Sequence, residues 1–481
     1  MRARGLRAAA PPALAVGVAV GALAMGACRA GPDYRRPTVA VPATYAGSGV
    51  GDGHLDPTWW RLFGDETLNG LEERALAGNP GLQAALARVA EARAVGAEAA
   101  AGRYPSVVFA PSLTRSRNPL NPVTPTSTAL VLPVDLSFEL DVWGRVRRSV
   151  EASQAEALAA ADNHAVVLLS LTANVATTYF GARSLDSQAD VLTRSVDSFR
   201  KQLALTRVKH DAGLVGETDV RQAEAQLDAT VAQRSEVLRQ RTDSEHAIAI
   251  LTGQPPSAVT LPARPLGDRP PLVPPGLPSS LLRRRPDVVA GEQALVAASA
   301  SIGVAKASLF PTFSLTGSAG LATASLTGPL GWANRSWSVG GGLLAPIFEG
   351  GKLRAQVEQA RGAYDEALGN YRTAILQALA DVENGLNDVG HLEETGVAYQ
   401  QAATAARENL RLTQLQYDQG LIDYLSVLDA QRTWLGDELL AAQTLGQRYV
   451  STVLLVKALG GGWTPEDGAR VLDGARGRGP E

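Results

Sequence analysis

The second half of the chain repeats the first. Arg103-Tyr104-Pro105-Ser106-Val107 recurs as Leu309-Phe310-Pro311-Thr312-Phe313, and Gly144-Arg145-Val146-Arg147 recurs as Gly351-Lys352-Leu353-Arg354. Leu205-Thr206, followed by Asp211-Ala212-Gly213-Leu214, recurs as Leu412-Thr413, followed by Asp418-Gln419-Gly420-Leu421. The offset is 206 residues from Pro105 to Pro311 and 207 from Gly144 to Gly351, Asp211 to Asp418 and Gly213 to Gly420. Chance does not hold one register across separate landmarks, and the unit is far longer than the ~20–50 residues of a solenoid repeat. The chain is an internal duplication whose two copies build equivalent parts of one object.

Within each copy the hydrophobic period changes from helical to alternating and back. Val134, Leu136, Phe138, Leu140 and Val142 alternate with Asp135, Ser137, Glu139 and Asp141, which predicts a strand with one apolar and one wet face. Its expected hairpin partner is Val107 to Thr114, joined through a Pro- and Asn-rich loop over Arg115 to Leu130. The second copy alternates from Phe313 to Leu321 and from Trp337 to Ile347, so the expected hairpins run over about 105–142 and 311–348. Strands of ~9–11 residues match the length that crosses a bilayer when tilted, and Trp143, Trp332 and Trp337 fall near strand ends, as interfacial anchors do. The same pattern also fits a soluble antiparallel sheet. Four strands cannot close a barrel, for which ~8 are needed. If these strands span a membrane, several chains must share one barrel.

Long proline-free stretches follow the hairpins, Arg145 to Asp211 and Lys352 to Asp418. As helices they would each reach ~100 Å. Leu192, Val196, Phe199 and Leu203 alternate by four and three, the seam of a coiled coil. Gly213 and Gly420 suit left-handed helix ends, and return helices are expected over roughly 217–251 and 423–459. The expected organisation is a first repeat over 65–253, a Pro-rich linker over 254–284, a second repeat over 285–460 and a polar, disordered tail over 461–481.

With 481 residues, 45% of them hydrophobic, and a net charge of −3, the chain has material for more than one compact domain and is no basic nucleic-acid binder. After residue 30 no stretch offers the ~18 uninterrupted apolar residues of a spanning helix. The N-terminus carries Arg2, Arg4 and Arg7 ahead of the apolar run Ala8 to Ala24, the pattern of a signal peptide over 1–27. It leads into Ala24-Met25-Gly26-Ala27-Cys28, which resembles the bacterial lipobox with Met25 where Leu is usual. Cys28 is the only cysteine, so it cannot form an internal disulfide, and it is the expected lipid attachment site of an extended segment over 28–64. In that resemblance Arg29, standing where Asp would retain the protein, favours the outer membrane. His54, His164, His210, His246 and His391 show no metal-ligand spacing. No Ser/His/Asp constellation and no phosphate loop is present, so neither catalysis, metal nor cofactor is expected. Arg283, Arg284 and Arg285 before Pro286 read as structural pairing rather than an anion site.

Several segments together resemble the outer-membrane efflux lipoproteins of the OprM/NodT branch of the TolC-like channels. They are Cys28-Arg29-Ala30-Gly31-Pro32-Asp33-Tyr34, Trp59-Trp60-Arg61-Leu62-Phe63-Gly64-Asp65 with Leu68-Asn69, and Ala87-Arg88-Val89-Ala90-Glu91-Ala92-Arg93. Asp141-Val142-Trp143-Gly144-Arg145, Leu281-Leu282-Arg283-Arg284-Arg285-Pro286-Asp287 and Val427-Leu428-Asp429-Ala430-Gln431 complete the set. The resemblance implies an α+β, mostly α fold with four membrane strands per chain, a homotrimer closing a twelve-stranded barrel in outer-membrane lipid, and a periplasmic helical tunnel. Its implied partners are a periplasmic adaptor and an inner-membrane RND-type pump, with the channel itself passive. It carries a constriction onto Asp429, with Ser426 where some members have a second acid, and weaker gate roles onto Tyr417 and Asp423. Adaptor contacts fall on Gly213, Leu214 and Val220 and on Gly420, Leu421 and Val427. Phe138, Leu140, Phe313 and Leu315 would face lipid, and Asp135, Glu139 and Asp141 would line the lumen. The competing reading is a non-channel coiled-coil adaptor or envelope scaffold, which should carry a lipoyl-like module that this sequence lacks.

Overall fold

The computed structural model describes residues 29–45, 55–117, 126–274, 276–324 and 331–474. The expected signal peptide and Cys28 lie outside the described residues. The chain opens with α1 (Glu66–Gly78) and α2 (Pro80–Ala101), then β1 (Ser106–Phe109), β2 (Ser112–Arg117) and β3 (Thr126–Leu140). Next come α3 (Arg145–Asp211) and α4 (Glu217–Leu251). The second copy repeats this order with α5 (Pro278–Arg284), α6 (Pro286–Ala307), β4 (Thr312–Thr323), β5 (Arg335–Leu344), α7 (Lys352–Asp418) and α8 (Tyr424–Ala458), and α9 (Pro465–Gly474) follows. Both long helices, α3 and α7, have 67 residues and both return helices have 35, so the duplication extends to element length.

The chain forms two compact units. One comprises Met1–Thr38, Ala90–Ala159 and Gly291–Tyr371, and the other Val39–Val89, Ala160–Ala290 and Arg372–Glu481. The first holds a fully antiparallel sheet in the order β1-β3-β4-β5, with β2 also paired to β3. The strand expected over Val107 to Thr114 is in fact two, because Pro111 has no N–H to continue the ladder. The loop expected over Arg115 to Leu130 is shorter than the sequence suggests, since Arg115 to Arg117 and Thr126 to Leu130 are paired strand. Pro133 sits within β3 opposite Gly320. A Cβ on Gly320 would collide with the Leu132 carbonyl, so the glycine lets β4 approach where proline weakens the ladder.

The base of the sheet is a fitted joint. The Trp143 indole donates to the Pro311 carbonyl at 2.8 Å and stacks on Phe310 with centroids 4.8 Å apart. Arg148, 1% exposed at its side chain, bonds Asp33 at 2.7 Å and Glu151 at 2.9 Å. Arg29 also reaches Glu151 at 2.7 Å, and the Ala30 amide donates to the Trp143 carbonyl at 3.0 Å. The segment directly after Cys28 is thus pinned to the start of α3.

In the second unit, Trp59 and Trp60 are buried, and Phe63, Phe180 and Tyr449 form a ring cluster with Phe63–Phe180 and Phe180–Tyr449 centroids 4.7 and 4.9 Å apart. Asp65 caps α1 through the Thr67 and Leu68 amides and accepts from the Tyr179 hydroxyl at 2.7 Å. The Pro-rich linker is held by its backbone: Arg183 and Arg241 donate to the Pro262 and Leu261 carbonyls, and Glu245 accepts from the Leu261 amide. It is less extended than expected, ending in α5. The expected disordered tail begins instead with an ordered turn and α9, with Thr464 bonded to the Asp467 carboxylate. Neither α3 nor α6 has ~18 uninterrupted apolar residues, yet each holds an 18-residue window apolar enough on average to cross a membrane by length and composition. Runs such as Ala165-Val166-Val167-Leu168-Leu169 raise that hydropathy, and 56% and 44% of the two windows are buried within the chain.

Candidate functional site

The register of the sheet sorts its side chains into two faces. Residues paired across antiparallel strands point the same way. Val107 and Phe109 share a face with Leu136 and Val134, then with Leu315 and Phe313 opposite Phe138 and Leu140, then with Leu343 on β5. Phe109, Val134, Leu140, Leu315, Trp337, Val339 and Leu343 are all exposed on this face, a patch that a water-soluble chain rarely leaves open. The opposite face carries Asp135, Ser137, Ser314, Thr316 and Ser318, polar and glycine-rich toward β5. Its outer strands, β1/β2 and β5, each pair on one side only, so both edges of the sheet are open.

Two of the three acids expected to line the lumen are already engaged. Asp141 caps α3, accepting from the Val146 and Arg147 amides at 3.0 and 2.9 Å. Glu139 pairs with Arg145 through a bond of 2.9 Å. Both lie where the strand meets the helix, so their charges are neutralised locally. Among the described residues, only Asp135 of the three makes no ion pair.

The ends of the long helices form a second candidate site. At α3 the Leu214 amide donates to the Lys209 carbonyl at 2.9 Å and the Gly213 amide to His210 at 2.8 Å. At α7 the Leu421 and Gly420 amides make the same pair of bonds to Gln416 and Tyr417, both at 3.0 Å. These are Schellman caps, and the φ angles of +73° at Gly213 and +74° at Gly420 explain the glycines. In such caps the residue after the glycine commonly packs back on the helix. Here Leu214 and Leu421 are instead 74% and 69% exposed, leaving two apolar side chains at the turn without cover.

Val220 and Val427 sit differently from the expectation. They are 7% and 0% exposed and belong with Leu203, Ala223, Tyr417 and Tyr424 to one core cluster. As members of that cluster they hold the hairpins together and present no contact surface. Tyr417 is likewise buried, its ring 5.5 Å from that of Tyr424, with Lys209 Nζ 4.5 Å above it. The same Lys209 bonds Asp418 at 2.9 Å, tying the end of α3 to the end of α7. Burial and neighbouring acids raise the Tyr417 pKa, and burial, Tyr417 and Asp219 push Tyr424 up to about 12. Both phenols therefore stay neutral. The Tyr417 hydroxyl finds no hydrogen-bond partner among the described residues, so it packs rather than latches.

The two tips have diverged in chemistry. Positions Tyr417 and Tyr424 correspond at the 207-residue offset to His210 and Glu217, which approach to 3.4 Å. Asp423 caps α8 by accepting from the Ser426 amide and hydroxyl at 3.0 and 2.7 Å, whereas its counterpart Gly216 has no side chain to do so. Ser426 and Asp429 follow on the same exposed stripe of α8, opposite the buried Val427, Ala430 and Trp434. Among the described residues the Asp429 carboxylate makes no ion pair. The sequence offered no signal for Lys209 or Arg148, whose partners lie 209 and 115 residues away.

Against known proteins, the family model described as "Outer membrane efflux protein" matches residues 71–254 and 277–461, one copy of the duplication each. The chain is 32% identical over 463 residues to "Outer membrane protein OprJ" of Pseudomonas aeruginosa, covering 94% of this chain and 96% of that one. It is 33% identical over 456 residues to "Pyoverdine export outer membrane protein OpmQ" of the same species, covering 92% and 95%. The solved structure of the outer-membrane channel OprN superposes with a TM-score of 0.85 at 34% identity, over 91% of this chain and all of that one.

Proposed function

Because the chain belongs to the outer membrane efflux protein family, we propose that three copies close one twelve-stranded barrel and work with a periplasmic adaptor and an inner-membrane pump. The chain is an outer-membrane efflux channel, and the family and fold favour that reading over an envelope scaffold. The observation that carries the trimer is the sheet itself. It has one exposed apolar face, one polar face and two unpaired edges. A single chain offers too few strands to close, and an open edge in lipid leaves backbone groups unsatisfied. Pairing β5 of one copy with β1 and β2 of the next removes every edge and turns the polar face into a lumen.

Further parts of the reading rest on the tip and the joint. Leu214 and Leu421, uncovered at capped turns, are the adaptor contacts. The exposed Asp429, brought three times around one axis by the trimer, forms a cation-favouring constriction through its focused field. Lys209 bridging Asp418 and capping the Tyr417 ring holds the hairpin ends together and resists opening. Cys28 carries the lipid anchor, and the pinning of Arg29 and Ala30 beside Trp143 sets that anchor at the base of the barrel. The conduit moves solute passively, and cargo choice belongs to the pump.

The test is single-channel conductance of the detergent-solubilised protein in a planar bilayer, with its mass measured on the same preparation. A trimer with discrete openings is expected. A monomer that never conducts, even with Lys209→Met to loosen the tip, overturns the proposal.

A further inference from the structure

The apolar face of the sheet does not end in apolar residues. Followed away from α3, along β3 from Leu140 to Thr126, the partners on that face become Leu113 opposite Leu130, Arg115 opposite Thr128 and Arg117 opposite Thr126. On the other side of the sheet, Leu321 lies opposite Leu132 on β3 and opposite Arg335 on β5. Arg335, Trp337 and Val339 therefore share the face that carries Leu315 and Phe138. All three arginines are exposed, and among the described residues none makes an ion pair. The two strand acids, Asp135 and Glu139, project from the opposite face. The Arg335 guanidinium lies 5.0 Å from the Trp332 ring, and Trp332 and Trp337 are 79% and 76% exposed.

Position along the strand gives this cluster its meaning. Leu130 to Leu140 is ~33 Å of strand, about the ~25 Å height of a barrel's apolar band once tilted. Arg115 and Arg117 lie beyond its far end, and Arg335, in register with Leu132, lies at the last residues of the band with Trp332 against it. A lone cation on a lipid face is unfavourable in hydrocarbon but favourable at a headgroup that supplies a counter-charge. The end joined to the helices faces the periplasm, so this end meets the outer leaflet.

We propose that Arg115, Arg117 and Arg335 bind the phosphates of a phosphorylated glycolipid of the outer leaflet, the lipid A type. This rests on the barrel reading above. Guanidinium groups recognise phosphate by two parallel charge-assisted bonds, and the tryptophans sit at the sugar and acyl boundary. Within one chain β2 and β5 are three strand spacings apart, ~14 Å. Closing the ring sets the β5 edge of one copy beside the β2 edge of the next, so each complete site straddles two copies and the bound lipid clamps the seam between them.

The experiment titrates the detergent-solubilised protein with bisphosphorylated lipid A, with lipid A whose phosphates have been removed, and with inorganic phosphate, reading bound lipid by native mass spectrometry. Conductance is recorded on the same preparation. The unmodified protein should hold the phosphorylated lipid at least about tenfold more tightly than the dephosphorylated one. The triple variant R115Q/R117Q/R335Q should lose that preference while still conducting. Inorganic phosphate at millimolar concentration should not displace the lipid, since the acyl chains on the apolar band contribute to binding. Equal binding of the two lipids by a conducting trimer overturns the proposal and leaves the barrel standing. Full displacement by inorganic phosphate also overturns it, reducing the cluster to a free-anion site. A protein that never conducts removes the proposal together with the barrel on which it rests. If the triple variant fails to assemble, the comparison of the two lipids on unmodified protein decides alone.

Discussion

Glu72 should make this protein less stable as pH rises from acid to neutral. It lies on α1 with Leu68, Leu71 and Ala75, at the spacing of a core-facing stripe, and its side chain is 0% exposed. Neither carboxylate oxygen has a hydrogen-bond partner among the described residues. Burial alone raises its pKa from 4.5 to about 9, because no nearby cation offsets the lost hydration. Above pH 4.5 the unfolded chain releases this proton and the folded chain keeps it, so folding takes one up. Stability attributable to this group is complete below 4.5 and falls by up to about 1.4 kcal/mol per pH unit until the folded pKa is passed. Integrated to pH 7, the deficit is about 3 kcal/mol per chain. Glu72→Gln removes the titration and keeps the shape. Its advantage should be near zero at pH 4.5 and about 3 kcal/mol at pH 7. Glu72→Leu also removes the unsatisfied polar atoms, and should add about 1–3 kcal/mol at every pH. The assay is guanidinium unfolding in detergent at pH 5, 6, 7 and 8, at one protein concentration so that assembly contributes equally. An E72Q advantage that is the same at pH 5 and pH 8 would refute the reasoning, because a desolvated carboxylate must couple stability to protons.

Asp429→Asn should lower cation preference roughly twofold or more if three carboxylates share the axis, read from reversal potentials in a KCl gradient; unchanged selectivity removes Asp429 from the constriction. Leu214→Asp with Leu421→Asp should weaken adaptor binding by about tenfold or more while changing stability by no more than about 0.5 kcal/mol, measured by pull-down titration and unfolding. Val427→Asp, by contrast, places a charge in the tip core and should cost several kcal/mol, on the order of 3–5, visible as protease cleavage near the turn. Arg148→Met leaves the Ala30 carbonyl and Asp33 without their arginine at the sheet joint and should cost about 1–3 kcal/mol, a modest figure because Glu151 keeps Arg29 and Asp33 is 81% exposed at its side chain. Its readout is the temperature at which the trimer dissociates.

The duplication and the long helices were legible because their signals are local and repeated. The helices Arg145–Asp211 and Lys352–Asp418 match the proline-free stretches of the sequence at both ends, since absence of proline, a glycine at the end and a seam of apolar residues all act within one or two turns. The split of the first strand at Pro111 does not stand out in the sequence pattern. A period-two count over Val107 to Thr114 does not register one missing donor. Polarity alone points to a disordered tail, but a short polar helix can be held by its own cap, as Thr464 and Asp467 hold α9.

What the sequence by itself determined is the long helices and the hairpins, their doubling, the two glycine turns and the alternation that gives the sheet a greasy and a wet face. Each depends on residues a few positions apart, and backbone sterics and periodicity settle it. Only the tertiary structure decided which polar groups remain unpaired and which apolar groups remain exposed. Asp141 and Glu139 look like lumen charges along the strand, yet a helix start and an arginine claim them. Val427 and Leu421 are equally apolar in sequence, yet one is 0% exposed and the other 69%. Arg115 and Arg117 lie on β2 and Arg335 on β5, and the two strands share a face only through β3 and β4. Pairing, burial and shared faces are relations between distant parts of the chain, and a one-dimensional pattern does not contain the distances that fix them.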